Sequence, residues 1–469
     1  MAKRYVVGAL MGALMLVVTG CPSGDDNPVP PPGDAGTENP TPDAGLPPDD
    51  AGTPGDAGTP GDMTVKEGDA CTTTASCMAG LYCAESKCAP LHIAVTVGPR
   101  TGPALTPSYA VVVPFNKPVS PTRLSEDPAT TNKFPRWNPT GTAVAFVEIA
   151  GDNTVSLVSR GIPFAAAQAT TSLTTGAVDA ANTTDFSYME WEPSNTIAWS
   201  RSFVDPVTSR TSTTGIWAYT SPGPAAAVTS SGVFPSWASD GASFVYSANN
   251  LGLQRRALSE TASSSVPGAS TTAEQPLHNK ANGVVLYLDA KGQEETTILA
   301  PLTGLYTLDT AAAAPTPNEI ALPRDEGNPT IEGQIKSYIA NHTWAPGGTH
   351  VAYVRVFYFK PITGDAYLCS GANCGGQQGN VVFVRRIDPA TGAAVGDEVK
   401  FADEATLPSF SPDGQFLAYV SGSQLKIQKI DPATGNPVAG SLISHDWRNE
   451  NQRVLSNRGD DHRPRWQPR

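Results

Sequence analysis

Leu407-Pro408-Ser409-Phe410-Ser411-Pro412-Asp413-Gly414-Gln415-Phe416-Leu417-Ala418-Tyr419-Val420 is a phrase to which the chain keeps returning. Phe234-Pro235-Ser236-Trp237-Ala238-Ser239-Asp240-Gly241 leads into Ala242-Ser243-Phe244-Val245-Tyr246, and Phe134-Pro135-Arg136-Trp137-Asn138-Pro139-Thr140-Gly141 leads into Thr142-Ala143-Val144-Ala145-Phe146. Each copy is an aromatic residue, a polar turn ending in glycine, and an apolar strand. Pro412 presets φ for the turn, Asp413 can bond its own backbone, and Gly414 or Gly241 accepts positive φ. Phe410 or Trp237 supplies a flat face to wedge between sheets. The strand that follows is apolar without alternation, so it reads as buried on both faces. A unit of this kind cannot bury its own apolar surface and must stack on its neighbours.

Fainter copies fill the gaps at Trp191, Leu277, Trp344 and Trp466. With Trp137, Trp237 and Phe410 these make seven marks enclosing six intervals of 40 to 67 residues. Four strands of about 5 residues with their turns need roughly 40 residues, the length of a propeller blade. The intervals therefore predict an all-β propeller of six blades, with seven blades or an open array or sandwich as alternatives. Closure would use a strand from the N-terminal side, His92–Val97 or Tyr109–Val113. Asp240 and Asp413 recur because the turn requires them, so they are read as structural.

The region from about Phe134 to Arg469 resembles the TolB-type, WD-like β-propeller repeats, whose hallmark is close to Pro-x-Trp/Phe-Ser-Pro-Asp-Gly followed by an apolar strand. Residues 407–419 match it almost fully, 234–246 and 341–353 with departures, and the copy at Leu277 lacks both the aromatic and the turn. The resemblance implies a propeller that works by contact with other proteins or cell-wall components. No separate TolB-like N-terminal α/β domain is recognisable, which withholds any role in Tol transport.

Met1-Ala2-Lys3-Arg4 is a basic start, Val6 to Val18 a short apolar core, and Val18-Thr19-Gly20-Cys21 ends it with small residues before a cysteine. The run is short for a membrane span and reads as a signal peptide. It resembles a bacterial lipobox, which implies acylation of Cys21, attachment to the lipid bilayer and, with Pro22 and Ser23 following, the outer membrane, periplasmic or surface-exposed. Pro22 to Asp62 carries eight Asp and Glu38 but no Lys or Arg. It has too little apolar area to offset its ordering entropy and reads as a disordered tether. Much of the net charge of −13 lies there. An acidic chain is a poor partner for nucleic acid. The basic tail residues Arg453, Arg458, Arg463, Arg465 and Arg469 read as surface.

Seven cysteines remain to be placed. With Cys21 assigned to lipid, Cys71, Cys77, Cys83, Cys88, Cys369 and Cys374 form an even set for disulfides in an exported chain. The first four, whose pairing the sequence leaves open among three connectivities, look like a small cysteine-rich module. Zinc is the competing reading of those four, disfavoured by the absence of CxxC pairs. The expected organisation is 1–20 signal peptide, 21–66 tether, 67–90 disulfide module and 91–469 propeller.

The six histidines form no metal-ligand motif, and neither a nucleophile elbow nor a phosphate-binding loop occurs. No catalytic residue, metal or cofactor is assigned. The expected function is an envelope lipoprotein whose propeller binds a protein or glycan. The alternatives are a propeller hydrolase or lyase, on polysaccharide or peptide, with axial catalytic residues, and a purely structural envelope protein.

Overall fold

The computed structural model describes residues 66–468 apart from several short segments, the longest being 101–106, 163–170, 176–182, 205–210, 291–301 and 326–332. The signal peptide, Cys21 and nearly all of the tether lie outside the described residues.

Seven antiparallel sheets follow one another around an axis. Blades 1 to 6 are residues 131–175, 183–227, 233–265, 274–321, 324–403 and 405–445, each running outward from the strand that carries its mark, with the short strand Arg324–Asp325 added on the other side of that strand in blade 5. Blade 7 joins both ends of the ring: His92–Pro99, Tyr109–Pro114 and Thr122–Arg123 are completed on the inner edge by Gln452–Val454 and Arg465–Trp466. The count of six is thereby corrected to seven. Each mark lies on an inner strand of its own, so seven marks mean seven sheets, and Trp466 belongs to a blade whose second and outer strands precede residue 124 in the chain.

Buried side chains confirm the closure, because each junction between neighbouring blades has its own apolar cluster. Phe134, Leu157 and Trp199 lie between blades 1 and 2, and Ala198, Trp237 and Phe244 between 2 and 3. Val245 packs with Tyr287 between blades 3 and 4, Leu286 with Tyr353 between 4 and 5, and Val354 with Phe410 between 5 and 6. Ala418 meets Val95 and Trp466 between blades 6 and 7, and Val112 meets Trp137 between 7 and 1. An unbroken cycle of junctions leaves only short outer edges for water to pair.

The indoles follow a rule. Trp137 Nε1 donates to Arg465 O, Trp237 to Glu190 O, Trp344 to Leu277 O and Trp466 to Ser409 O, at 2.9 to 3.3 Å. Each reaches the carbonyl just before the mark of the preceding blade. Trp191 instead donates to Asn195 Oδ1 within its own turn. In blade 4 the rule points to Leu277 O, so the residue standing where the others have an aromatic is His278, which pairs with Val285 as Trp237 pairs with Phe244. The mark at Leu277 is therefore corrected by one residue. The turns behave as their composition requires: Asp240 Oδ1 accepts from Ala242 N and Ser243 N, Asp413 Oδ1 from Gln415 N, and Gly241 and Gly414 have φ of 63° and 70°.

The cysteine module is docked on the ring. Cys71 pairs with Cys83 and Cys77 with Cys88, and the hairpin Leu81–Ala84, Lys87–Pro90 leads directly into blade 7. Cys71, Cys77 and Cys88 sulfurs lie together, but all are oxidised in these bridges and offer no thiolate to a metal. Gly80 N donates to Asp413 Oδ2 at 2.8 Å, across the seam between blades 6 and 7. Phe115 sits beneath Gly80 with its ring against Phe416 and Trp466. A Cβ at Gly80 would stand 2.3 Å from the Phe115 ring, on a backbone with φ of 78°. Gly80→Ala is expected to destabilise the protein by about 2 kcal/mol or more, through overpacking and left-handed strain, measured as a fall in thermal midpoint.

Candidate functional site: an axial pocket closed by the C-terminal loop

Every inner strand of blades 1 to 6 carries a β-bulge, and the residue three before the mark takes positive φ: Phe134, Tyr188, Phe234, Gln275, Asn341 and Leu407, between 49° and 59°. A bulge turns a side chain out of the pleat and frees backbone groups. A hydroxyl on the second strand of the preceding blade takes up several of the freed N–H groups. Phe134 N donates to Thr96 Oγ1, Phe234 N to Ser200 Oγ and Gln275 N to Ser247 Oγ, at 2.8 to 3.1 Å. Of these six positions, Tyr188, Phe234 and Gln275 line one cleft together with Arg463, which stands three before Trp466 in blade 7, whereas Phe134 and Leu407 pack into the junctions between blades.

Blade 7 replaces the bulge with a longer excursion. Between Val454 and Arg465, which both pair with His92–Pro99, the chain leaves the sheet and forms a 3-10 turn over Gly459–His462. Asp461, fully buried, accepts Tyr188 N on Oδ1 at 2.5 Å and faces Arg136 Nη2 at 3.5 Å. Arg136 Nε donates to Met189 O at 2.7 Å, the His462 ring lies 5.2 Å from that of Phe134, and Arg463 Nη1 donates to His342 O at 2.7 Å. The loop therefore ties blades 1, 2 and 5 to blade 7. Arg463 was expected on the surface with the rest of the basic tail; the structure buries it at the axis.

Beside this loop lies a narrow cleft, partly open to solvent, with room inside for about one water, lined by Tyr188, Glu190, Phe234, Gln275, His342 and Arg463 together with Pro235, Pro276 and Leu277. Tyr188 and Phe234 rings stand 4.1 Å apart. Glu190 Oε2 accepts Trp237 N at 3.0 Å, and His342 Nε2 bonds Gln275 O at 2.8 Å. Gln275 has no hydrogen bond on its side-chain amide among the described residues. The walls rise on the same face. All inner strands run the same way, so residues ahead of the bulge share one side of the ring. There the strands Gly333–Trp344 and His350–Pro361 of blade 5 run several residues past their neighbours. Cys369 and Cys374 are joined in this arm, packed on Ile335, Phe357 and Phe359.

The remaining histidines hold the frame. His92 Nδ1 meets Gln467 Oε1, His350 Nδ1 meets Thr349 Oγ1, and His445 Nε2 meets Phe115 O. Burial lowers the pKa of each, and of His278, keeping them neutral. On the inner strand of blade 4, burial pushes the Glu274 carboxyl up to about 7, with the Asp289 carboxylate adding to the effect. The fold favours its protonated form, so Glu274 costs nothing at low pH, lowers stability as pH climbs from about 4.5 to about 7, and costs a constant amount above. Glu274→Gln should leave the thermal midpoint at pH 4 unchanged and raise stability at pH 8 by up to about 3 kcal/mol.

Of the six lining side chains the sequence pointed only to His342, read as lining a turn or the channel rim, although Tyr188, Phe234, Gln275 and Arg463 share one offset from the marks. The marks repeat in type while the residue three before them varies, and that contrast was the available signal.

No protein-family description matches the chain, and no curated protein matches it in sequence. Similar solved structures include TolB from Acinetobacter baumannii, 14% identical over 81% of this chain and 67% of that one, with a TM-score of 0.36. An oligogalacturonate lyase in complex with manganese is 12% identical over 74% of this chain and 84% of its own, with a TM-score of 0.41. An oligogalacturonate lyase from Vibrio parahaemolyticus is 12% identical over 68% and 79%, with a TM-score of 0.37. The seven-bladed propeller itself rests on the strand pairing and the cycle of junctions.

Proposed function

We propose that the chain is a bacterial envelope lipoprotein, held to the outer membrane through acylated Cys21, and that its propeller is a TolB-like binding scaffold for a protein or glycan. One observation carries the binding part: side chains from five blades converge on one cleft that is open to solvent. Glu190 and His342, the lining groups best suited to acid–base work, each hold a backbone group of the ring, which favours binding over turnover. Small proteins of the oxidising envelope use disulfides as this one does in the module and arm. The lipid part is supported by the residues around Cys21 alone.

Cells fed a fatty-acid analogue should label the wild-type chain and not Cys21→Ala. A photo-crosslinking side chain placed at Gln275 should capture the same envelope component in replicate preparations. Absence of label would end the lipoprotein reading, and absence of a reproducible adduct would end the binding reading.

A further inference from the structure

We propose that the cysteine-rich module is a redox clasp on the seam that closes the ring, entered by thiols at Cys83 and relayed to its second bridge through Cys71. Two observations carry this. The first is where the module sits. Cys71, Cys77, Leu81 and Cys88 are buried in one apolar cluster with Ile93, Val95 and Trp466 of blade 7 and Leu407, Ala418 and Leu425 of blade 6. Gly80, midway between Cys77 and Cys83, spans the seam. Its N–H donates to Asp413 Oδ2 of blade 6, and its carbonyl accepts from Leu91 N, which leads into blade 7. The bridges Cys71–Cys83 and Cys77–Cys88 interleave, so each holds one end of the segment that carries Gly80.

The second observation is the arrangement of sulfurs. Cys71, Cys77 and Cys88 Sγ all lie within 4.8 Å of one another, so Cys71 of one bridge sits beside both sulfurs of the other. These three cysteines are buried, and of the four only Cys83 is partly exposed. A thiolate from outside meets Cys83 Sγ first, forms a mixed disulfide there and expels Cys71 as a thiolate. Cys71 then attacks Cys77 or Cys88, bonds to it and expels the other as a thiolate, which takes up a proton. When the reductant is a dithiol, its second thiol resolves the mixed disulfide. Cys83 becomes a thiol, and the reductant's two sulfurs are oxidised to a disulfide. Either new bridge leaves Cys83 unpaired, so the Gly80 segment loses at least one anchor and its hold on Asp413 loosens.

The folded whole chain would be treated with limiting reduced glutathione, quenched by alkylation and mapped by mass spectrometry. Glutathione should sit on Cys83, the alkyl group should appear on Cys77 or Cys88 as well as on Cys71, and a new bridge should join Cys71 to Cys88 or Cys77. Glutathione on one of the buried cysteines instead, or alkylation confined to Cys71, would overturn the relay. Dithiothreitol then tests the clasp. Both module bridges should open while Cys369–Cys374, buried and with no third cysteine beside it among the described residues, stays intact. At that point amide hydrogen exchange at Ile93 and Ala94, which pair with Trp466 and Arg465, should speed up about tenfold or more. Exchange in Ser243–Ala248 of blade 3 should not change. Loss of the arm bridge at the same rate, or an unchanged seam after both module bridges are reduced, would overturn the proposal.

Discussion

Deleting residues 452–469 should yield a chain with no cooperative unfolding transition. The deletion strips the inner edge of blade 7, where Val97 pairs with Val454 and Ile93 with Trp466. It also removes Asp461 and Arg463, which hold blades 1, 2 and 5 across the axis. Ile93, Val95 and Leu407, fully buried in the seam cluster, would then face water. A stability margin of roughly 5–15 kcal/mol cannot absorb an open seam on two blades. Trp466→Ala provides the graded comparison: it keeps the strand and removes the wedge, and should cost about 3–5 kcal/mol while leaving a folded ring. Calorimetric scans of the two variants check both statements. A truncated chain melting sharply near the wild-type temperature would show that the ring does not depend on its closure.

The second large effect is expected outside the channel, in blade 5. Arg355 is 1% exposed and donates to Glu398 Oε2 at 2.8 Å, Leu322 O at 2.9 Å and Ser337 Oγ at 3.1 Å. Tyr353 and Arg324 also bond Glu398. Burial alone would raise the Glu398 carboxyl, but Arg355 and its neighbours hold it below the usual carboxylate range. Arg355→Met leaves that carboxylate buried without its main counter-charge and should cost about 3–5 kcal/mol. Arg355→Met with Glu398→Leu removes both charges and should recover most of the loss. Denaturant titrations of the two singles and the double measure the coupling. A double variant as unstable as the worse single would mean that packing, and not the ion pair, sets the cost.

The contrast between what was legible and what was not follows from the physics of the repeat. The architecture was readable because Trp137, Trp237, Trp344, Phe410 and Trp466 do one job at one register, and a job repeated in space repeats in sequence. The blade number was not, because a ring has as many intervals as marks only when its two ends meet, and a linear count leaves out the last interval. His278 escaped for a related reason: its ring replaces an indole, so residue type misleads and only strand register identifies the position. The pocket was least legible. Its side chains come from five blades, and Tyr188, Phe234 and Gln275 stand at bulges where the residue type is free to vary, since the bulge N–H is held by a side chain of another blade and not by the residue it turns inward. The hexapeptide Ile-Asp-Pro-Ala-Thr-Gly, at 387–392 and again at 430–435, passed unread for the opposite reason. Its Asp388 and Asp431 cap identical exposed turns, and Thr307 Oγ1 donates to Gly392 O, so the repeat serves contact between adjacent blades.

A sheet shared between the two ends of the ring also sets an order of events during synthesis. His92–Pro99 is translated before any other strand of the ring, yet its inner partner, Arg465–Trp466, emerges from the ribosome after all of them. The nascent chain remains an open arc with an uncovered edge until those late residues arrive, and contacts of such high sequence separation form slowly. Whatever keeps that arc from pairing with a second one must act on the growing polypeptide, before the circle is complete.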